Sequence, residues 1–169
     1  MNTKLFLPFV VVILLVSSCK SKEIDKNATI EVLDQFEELQ AIIDAQGNDV
    51  LVLNFWSTYC PPCIKELPHF KRLESEYQDK KVRVLLISLD DVKQLDSRVY
   101  PFVKKNKIKQ EIMVLKDQNY SKWTDDIDES WYGALPATLI IKGKKRHFRF
   151  GSYETYDDLK ADVDKMLEE

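Results

Sequence analysis

The order of apolar runs and turn residues predicts an α/β protein, a mixed central sheet with helices on both faces. Three observations carry this. Residues 50–56 (VLVLNFW) and 82–89 (VRVLLISL) are apolar almost without a break, as strands covered on both faces are. Segments with apolar residues three and four apart alternate with these runs. Two short runs near the end, joined around Gly143, read as a hairpin, which makes the sheet mixed.

Taken in order, residues 29–45 place Val32, Phe36, Leu39 and Ile43 on one helical face, with Gly47 as the stop. Residues 50–56 form the first buried strand. Ile64, Leu67, Phe70, Leu73 and Tyr77 then mark a helix that Pro68 should kink. Residues 82–89 are the second buried strand. Residues 92–105 are helical, interrupted at Pro101. Residues 112–115 make a short strand and 119–126 a short helix. Residues 137–142 and 145–150 pair as the hairpin. Tyr156, Leu159, Val163 and Met166 mark a closing amphipathic helix.

The chain has 169 residues, 44% hydrophobic and 31% charged, with a formal net charge of −3, a composition suited to one globular domain. It is neither disordered nor a globally basic nucleic-acid binder. Three cysteines, Cys19, Cys60 and Cys63, are too few for a disulfide scaffold, and an odd number cannot all pair. Two histidines leave little for a metal cage. Residues 1–18 read as a signal peptide: Lys4, a 12-residue apolar run at 5–16, then Ser17 and Ser18. The run is too short to span a bilayer. Residues 19–28 are a polar tether, and residues 29–169 form the domain.

Cys60-Pro61-Pro62-Cys63 lies where a buried strand passes into a helix. Residues three apart in a first helical turn have Cα atoms about 5–5.5 Å apart, within disulfide range. The helix N-terminus would stabilise a Cys60 thiolate, the attacking species in thiol–disulfide exchange. Cys63 is placed to attack the resulting mixed disulfide. A static structural disulfide, half of a zinc site and an inert reduced pair are the competing readings of the same residues.

Several segments resemble known sequence families. Val16-Ser17-Ser18-Cys19 resembles the bacterial lipobox, with valine in place of the usual leucine. That resemblance implies acylation of Cys19 and a lipid anchor in the cell envelope, on its periplasmic side. Phe55-Trp56-Ser57-Thr58-Tyr59-Cys60-Pro61-Pro62-Cys63 resembles the active-site segment of the thioredoxin superfamily, with Tyr59 replacing tryptophan. Gly133-Ala134-Leu135-Pro136-Ala137-Thr138 resembles the cis-proline loop of the same superfamily. Cys63-Ile64-Lys65-Glu66-Leu67-Pro68 and an added strand–helix unit at 112–126 narrow the likeness to extracytoplasmic reductases of the ResA and TlpA kind.

The resemblance implies a thioredoxin-like fold and a thiol–disulfide oxidoreductase. Cys60 and Cys63 would be its redox pair, with no cofactor beyond their disulfide. Glu66 would move protons to or from Cys63; a surface ion pair with lysine is its plain alternative. Leu135 and Pro136 would receive an extended substrate strand, and Trp56 and Tyr59 would form an apolar surface beside the sulfurs; core packing is the stronger reading for Trp56 and an equal one for Tyr59. Asn54 stands where thioredoxin has a buried acid, and is expected to hydrogen-bond backbone. The acidic run Asp125, Asp126, Asp128, Glu129 and the basic hairpin at 142–149 are expected to be solvated.

The absence of histidine between the cysteines, and of an N–H on Pro62, points to a reductant. Implied partners are thiols and disulfides of exported proteins, apocytochrome cysteines being one typical substrate of the group. A membrane thiol relay would supply electrons, and Cys19 would hold the chain to the bilayer. A copper-binding module on the same fold is a second reading, although copper-handling relatives use a wider cysteine spacing and a placed histidine. A thiol peroxidase is a third.

Overall fold

A computed structural model describes residues 30–168. The signal peptide, Cys19 and the tether lie outside the described residues. Six strands form one sheet in the order β1-β4-β3-β2-β5-β6. In chain order the strands are β1 (Glu31–Leu33), β2 (Val50–Trp56), β3 (Val82–Ser88), β4 (Glu111–Leu115), β5 (Ala137–Lys142) and β6 (Lys145–Phe150). The first four are parallel to one another. β5 and β6 run antiparallel, as the hairpin requires. The helices are α1 (Phe36–Asp44), α2 (Pro61–Glu76), α3 (Tyr100–Asn106), α4 (Tyr120–Ile127) and α5 (Tyr156–Glu168). The unit β4–α4 is the one expected as an addition, and β4 stands inside the sheet, between β1 and β3.

Strand alternation divides the core into two. Val50, Val52 and Trp56 of β2 join Val84 and Leu86 of β3, packing with Phe70, Leu73, Leu159 and Val163 from α2 and α5. Leu51, Leu53 and Phe55 face the other way with Leu85 and Ile87, against Leu39, Ile43, Trp123 and Ile127 from α1 and α4. The sheet is therefore covered on both faces, which is why β2 and most of β3 are continuously apolar.

Three local expectations are corrected. Val32 belongs to a strand, not to the first helix: β1 pairs with β4, Val32 opposite Val114. Glu38 Oε1 accepts the N–H groups of Asp34 and Gln35, which fixes the helix start at Phe36. Gly47 does not stop that helix, which is capped at Ala45; its carbonyl instead accepts from Gly143 N at 2.8 Å. Pro101 does not interrupt a helix but opens α3, where its missing N–H is harmless. The irregularity lies upstream, in a 3₁₀ turn at Val92–Gln94 and a π-helical turn at Leu95–Val99. As expected, Pro68 lies inside α2, which runs on as one helix.

Trp123 anchors the second core. Its ring stacks on Phe36 at 5.1 Å and meets the rings of Tyr120 and Trp131 at 5.4 and 5.7 Å. Trp123→Ala is expected to cost about 3–5 kcal/mol, read as a lower denaturant midpoint. Trp123→Phe should lose much less, because the indole Nε1 has no partner among the described residues.

Candidate active site

The parallel strands β2 and β3 end at the same side of the sheet, the usual location for a site in such folds. There β2 passes through Ser57–Tyr59 into α2. Cys60 is the N-cap of α2 in an extended conformation, and Pro61 and Pro62 open the helix. The Cys60 and Cys63 sulfurs are bonded at 1.90 Å, with Cα atoms 5.2 Å apart, as the helical spacing predicts. The Cys63 N–H donates to Cys60 Sγ at 3.3 Å. That donor and the helix N-terminus both favour negative charge on Cys60 once the pair is reduced. Cys63 is fully buried and Cys60 only partly, so Cys60 is the sulfur that a second molecule can reach.

The Leu135–Pro136 peptide is cis. Phe55 lies opposite Ala137 in the β2–β5 ladder, so the Pro136 turn sits at the end of β2, on the side of the sheet where Cys60 lies. The Pro136 carbonyl accepts from Gly151 N at 3.0 Å, which pins this turn to the end of β6. Pro136 is buried and Leu135 half-buried. Trp56 is fully buried and packs on Phe102 at 5.6 Å, which is the core-packing reading rather than a surface beside the sulfurs. Its position on β2 points it into the first core. Tyr59 is 58% exposed, as a surface role needs.

Glu66 lies on the inner side of α2 with no exposed surface. Its Oε1 accepts from Asn54 Nδ2 at 2.9 Å and its Oε2 from Tyr153 N at 2.7 Å. Burial pushes its pKa up from 4.5 to about 7, against the opposing pull of these two hydrogen bonds. The alternative of a surface ion pair is thereby removed: Lys65, its neighbour, meets Glu154 instead. Asn54 departs from expectation as well. Its amide serves the Glu66 and Thr138 side chains rather than backbone, and its Oδ1 has no partner among the described residues.

A second polar cluster was not anticipated. Asp90, just past β3, is almost wholly buried. It accepts from Ser57 Oγ at 3.0 Å, Thr58 N at 2.9 Å, Thr58 Oγ1 at 2.6 Å and Ser88 Oγ at 2.7 Å. Asp90 thus holds the loop that carries Cys60. Arg98, in the π-helical turn, donates to Thr58 Oγ1 at 2.7 Å and to the Thr58 carbonyl at 3.1 Å. Its guanidinium lies 3.4 Å over the Tyr59 ring, whose hydroxyl donates to Gln94 Oε1 at 2.8 Å. The only sequence signal was position: Asp90 follows a buried strand at its carboxyl end.

The charged runs behave as solvated faces. Asp125 and Asp126 are exposed on α4, and Asp128 accepts from Ser130 N at 3.0 Å. On the basic hairpin, Arg146 donates to the Asp126 and Ile127 carbonyls, and His147 and Arg149 meet Asp162 at 3.2 and 3.5 Å.

Residues 25–146 match the AhpC/TSA family. A thiol-disulfide oxidoreductase ResA from Halalkalibacterium halodurans is 32% identical over 111 residues, 65% of this chain and 57% of that relative. The matched segment thus spans little more than half of that protein. A thiol-disulfide oxidoreductase ResA from Bacillus thuringiensis subsp. konkukian is 34% identical over 148 residues, 85% of this chain and 79% of the relative. Among solved structures, a thioredoxin-related protein from Neisseria meningitidis serogroup B superposes with a TM-score of 0.62 at 21% identity, covering 75% of this chain and 91% of that one. The fold is thioredoxin-like.

Proposed function

The chain belongs to the AhpC/TSA family of thioredoxin-like proteins, and from that premise we propose that it is a thiol–disulfide oxidoreductase of the ResA kind, reducing disulfides in exported proteins. One observation carries the reading: a Cys60–Cys63 disulfide at a helix N-terminus, with Cys60 reachable and Cys63 buried one helical turn before a buried acid, Glu66.

In the reducing direction the pair starts as two thiols. The Cys60 thiolate attacks one sulfur of the substrate disulfide. A Cys60–substrate disulfide forms, and the other substrate sulfur leaves as a thiolate that takes up a proton. Cys63 then loses its proton to the Glu66 carboxylate and attacks Cys60 Sγ. This expels the second substrate thiolate and restores the Cys60–Cys63 disulfide. Two electrons pass from the cysteine pair to the substrate. A dithiol donor, read here as a membrane thiol relay, returns them by the reverse exchange. The redox equivalents reside in the two sulfurs, and the scheme uses no other cofactor. Leu135 and Pro136 present the backbone edge on which an extended substrate chain would lie, beside Tyr59.

The lipobox-like Val16–Cys19 segment supports a lipid-anchored location outside the cytoplasm. Among the described residues, no helix is long and apolar enough to cross a membrane. The test is direct. The reduced chain is mixed with a disulfide-bonded peptide, and oxidation of the Cys60–Cys63 pair is followed together with release of peptide thiols. Two peptide thiols per oxidised pair is the expected stoichiometry. Peroxide consumption without disulfide exchange would overturn the reading in favour of a peroxidase. Tight stoichiometric copper binding without exchange would favour the metal-handling alternative.

A further inference from the structure

Arg98 is spent on the active-site loop in an unusual way. Nε and one terminal nitrogen bind the two oxygens of Thr58, and the guanidinium plane lies flat on Tyr59, the residue before Cys60. Thr58 is in turn locked to Asp90. The acceptors of Asp90 are filled by neutral donors, so it does not pair directly with Arg98. Among the described residues no carboxylate forms an ion pair with Arg98, whereas Arg72, Arg83 and Arg149 meet Glu76, Glu111 and Asp162. Asp91, on the same segment, accepts the Lys93 N–H. The turn bearing Arg98 is π-helical, a form that often re-aims a residue at a functional site.

The outcome is a half-exposed cation, held on Thr58 and Tyr59 in the loop that leads to the reachable sulfur, with one terminal nitrogen that no described residue engages. A guanidinium whose other edge is already ordered loses little entropy on binding a carboxylate. We propose that Arg98 is a specificity-determining residue of the exchange reaction: fixed on Thr58 and Tyr59, the two residues before Cys60, it docks an acidic side chain that neighbours the substrate's disulfide. The partner class is an exported polypeptide with Asp or Glu close to a reducible cysteine. This inference rests on the oxidoreductase reading above.

The test compares two synthetic disulfide peptides that differ only in carrying Asp or Asn beside one cysteine. The full reduced chain should react with the Asp peptide about threefold faster, the span expected of one exposed charge pair. Arg98→Gln should bring the ratio of the two rates to one, and Arg98→Lys should restore part of it. A merely structural role for Arg98 would slow both peptides together and leave the ratio unchanged, which would overturn the proposal. Wild-type chain in high salt gives the same decision without any variant, since screening should carry the ratio toward one; a salt-independent ratio counts against Arg98. Exchange at equal rates in wild type overturns this proposal alone. No exchange with either peptide overturns the oxidoreductase reading, and this proposal with it.

Discussion

Cys63→Ser is expected to leave the chain able to capture substrates and unable to release them. Cys60 is partly exposed and Cys63 buried, so the first exchange should join a substrate sulfur to Cys60. With serine at 63 no second thiolate can attack that bond, because a hydroxyl is hardly ionised where a thiol is. Mixed disulfides should therefore accumulate in cells and be identifiable by mass spectrometry after non-reducing separation. Cys60→Ser should yield none, because the remaining sulfur is out of reach. Turnover with a disulfide peptide should be abolished in both variants. Equal trapping by the two variants would contradict the assignment of Cys60 as the attacking sulfur. Persistent absence of any trapped partner from Cys63→Ser would count against the whole reading.

Glu66→Gln should separate two consequences of one buried carboxyl. Its pKa, raised by burial to about 7, places the carboxylate form above neutral pH and the acid form below it. A proton acceptor for Cys63 must be the carboxylate. Resolution of a Cys60–peptide disulfide should accordingly speed up through pH 7 and level off in the wild type. Glu66→Gln should lose that limb and run about a hundredfold slower at pH 8, the low end of what a positioned acid–base group contributes. An unchanged pH profile would remove Glu66 from the mechanism.

Stability should move the other way. The folded chain holds this proton more tightly than the unfolded chain, so ionising Glu66 works against the fold. Its contribution is fully present below about pH 4.5 and is lost as pH rises to about 7, in all about 3 kcal/mol. Urea unfolding of the oxidised wild type should show this loss relative to Glu66→Gln between pH 4 and pH 8. A constant difference between the two chains would show that Glu66 is not titrating as described. The glutamine keeps one oxygen to accept from Tyr153 N, and turning over the Asn54 amide would bring its orphaned Oδ1 to face the glutamine NH2.

The parts legible in the sequence are those whose signal is local. Cys60 and Cys63 are separated by one helical turn, so their pairing and place at a helix N-terminus follow from spacing. The runs in β2 and β3 announce double burial by composition, and the bounds of β5 and β6 were read correctly because Gly143 marks their turn. By contrast, β1 is three residues long and exists because β4 is there to pair with it. The apolar residues of so short a strand fit a helical template equally well, which is how Val32 came to be misread. For Trp56 the motif left both a surface role and core packing open, because motif membership does not say which way a side chain points. Alternation along β2 turns it into the core.

Arg98 and Asp90 illustrate the remaining gap. They lie 40 and 32 positions from Thr58 and resemble any other surface charges in the chain. Their roles depend on strand ends and a π-helical turn meeting at one loop. The amino-acid order alone established the α/β class, the two-faced sheet and the dithiol at a helix start, since each depends on neighbours within a turn or a strand. Tertiary packing decided which sulfur is reachable, how far the Glu66 carboxyl is pushed, and which cation holds the loop before Cys60. Burial and long-range hydrogen bonds set those properties, and neither can be read from residues adjacent in the chain.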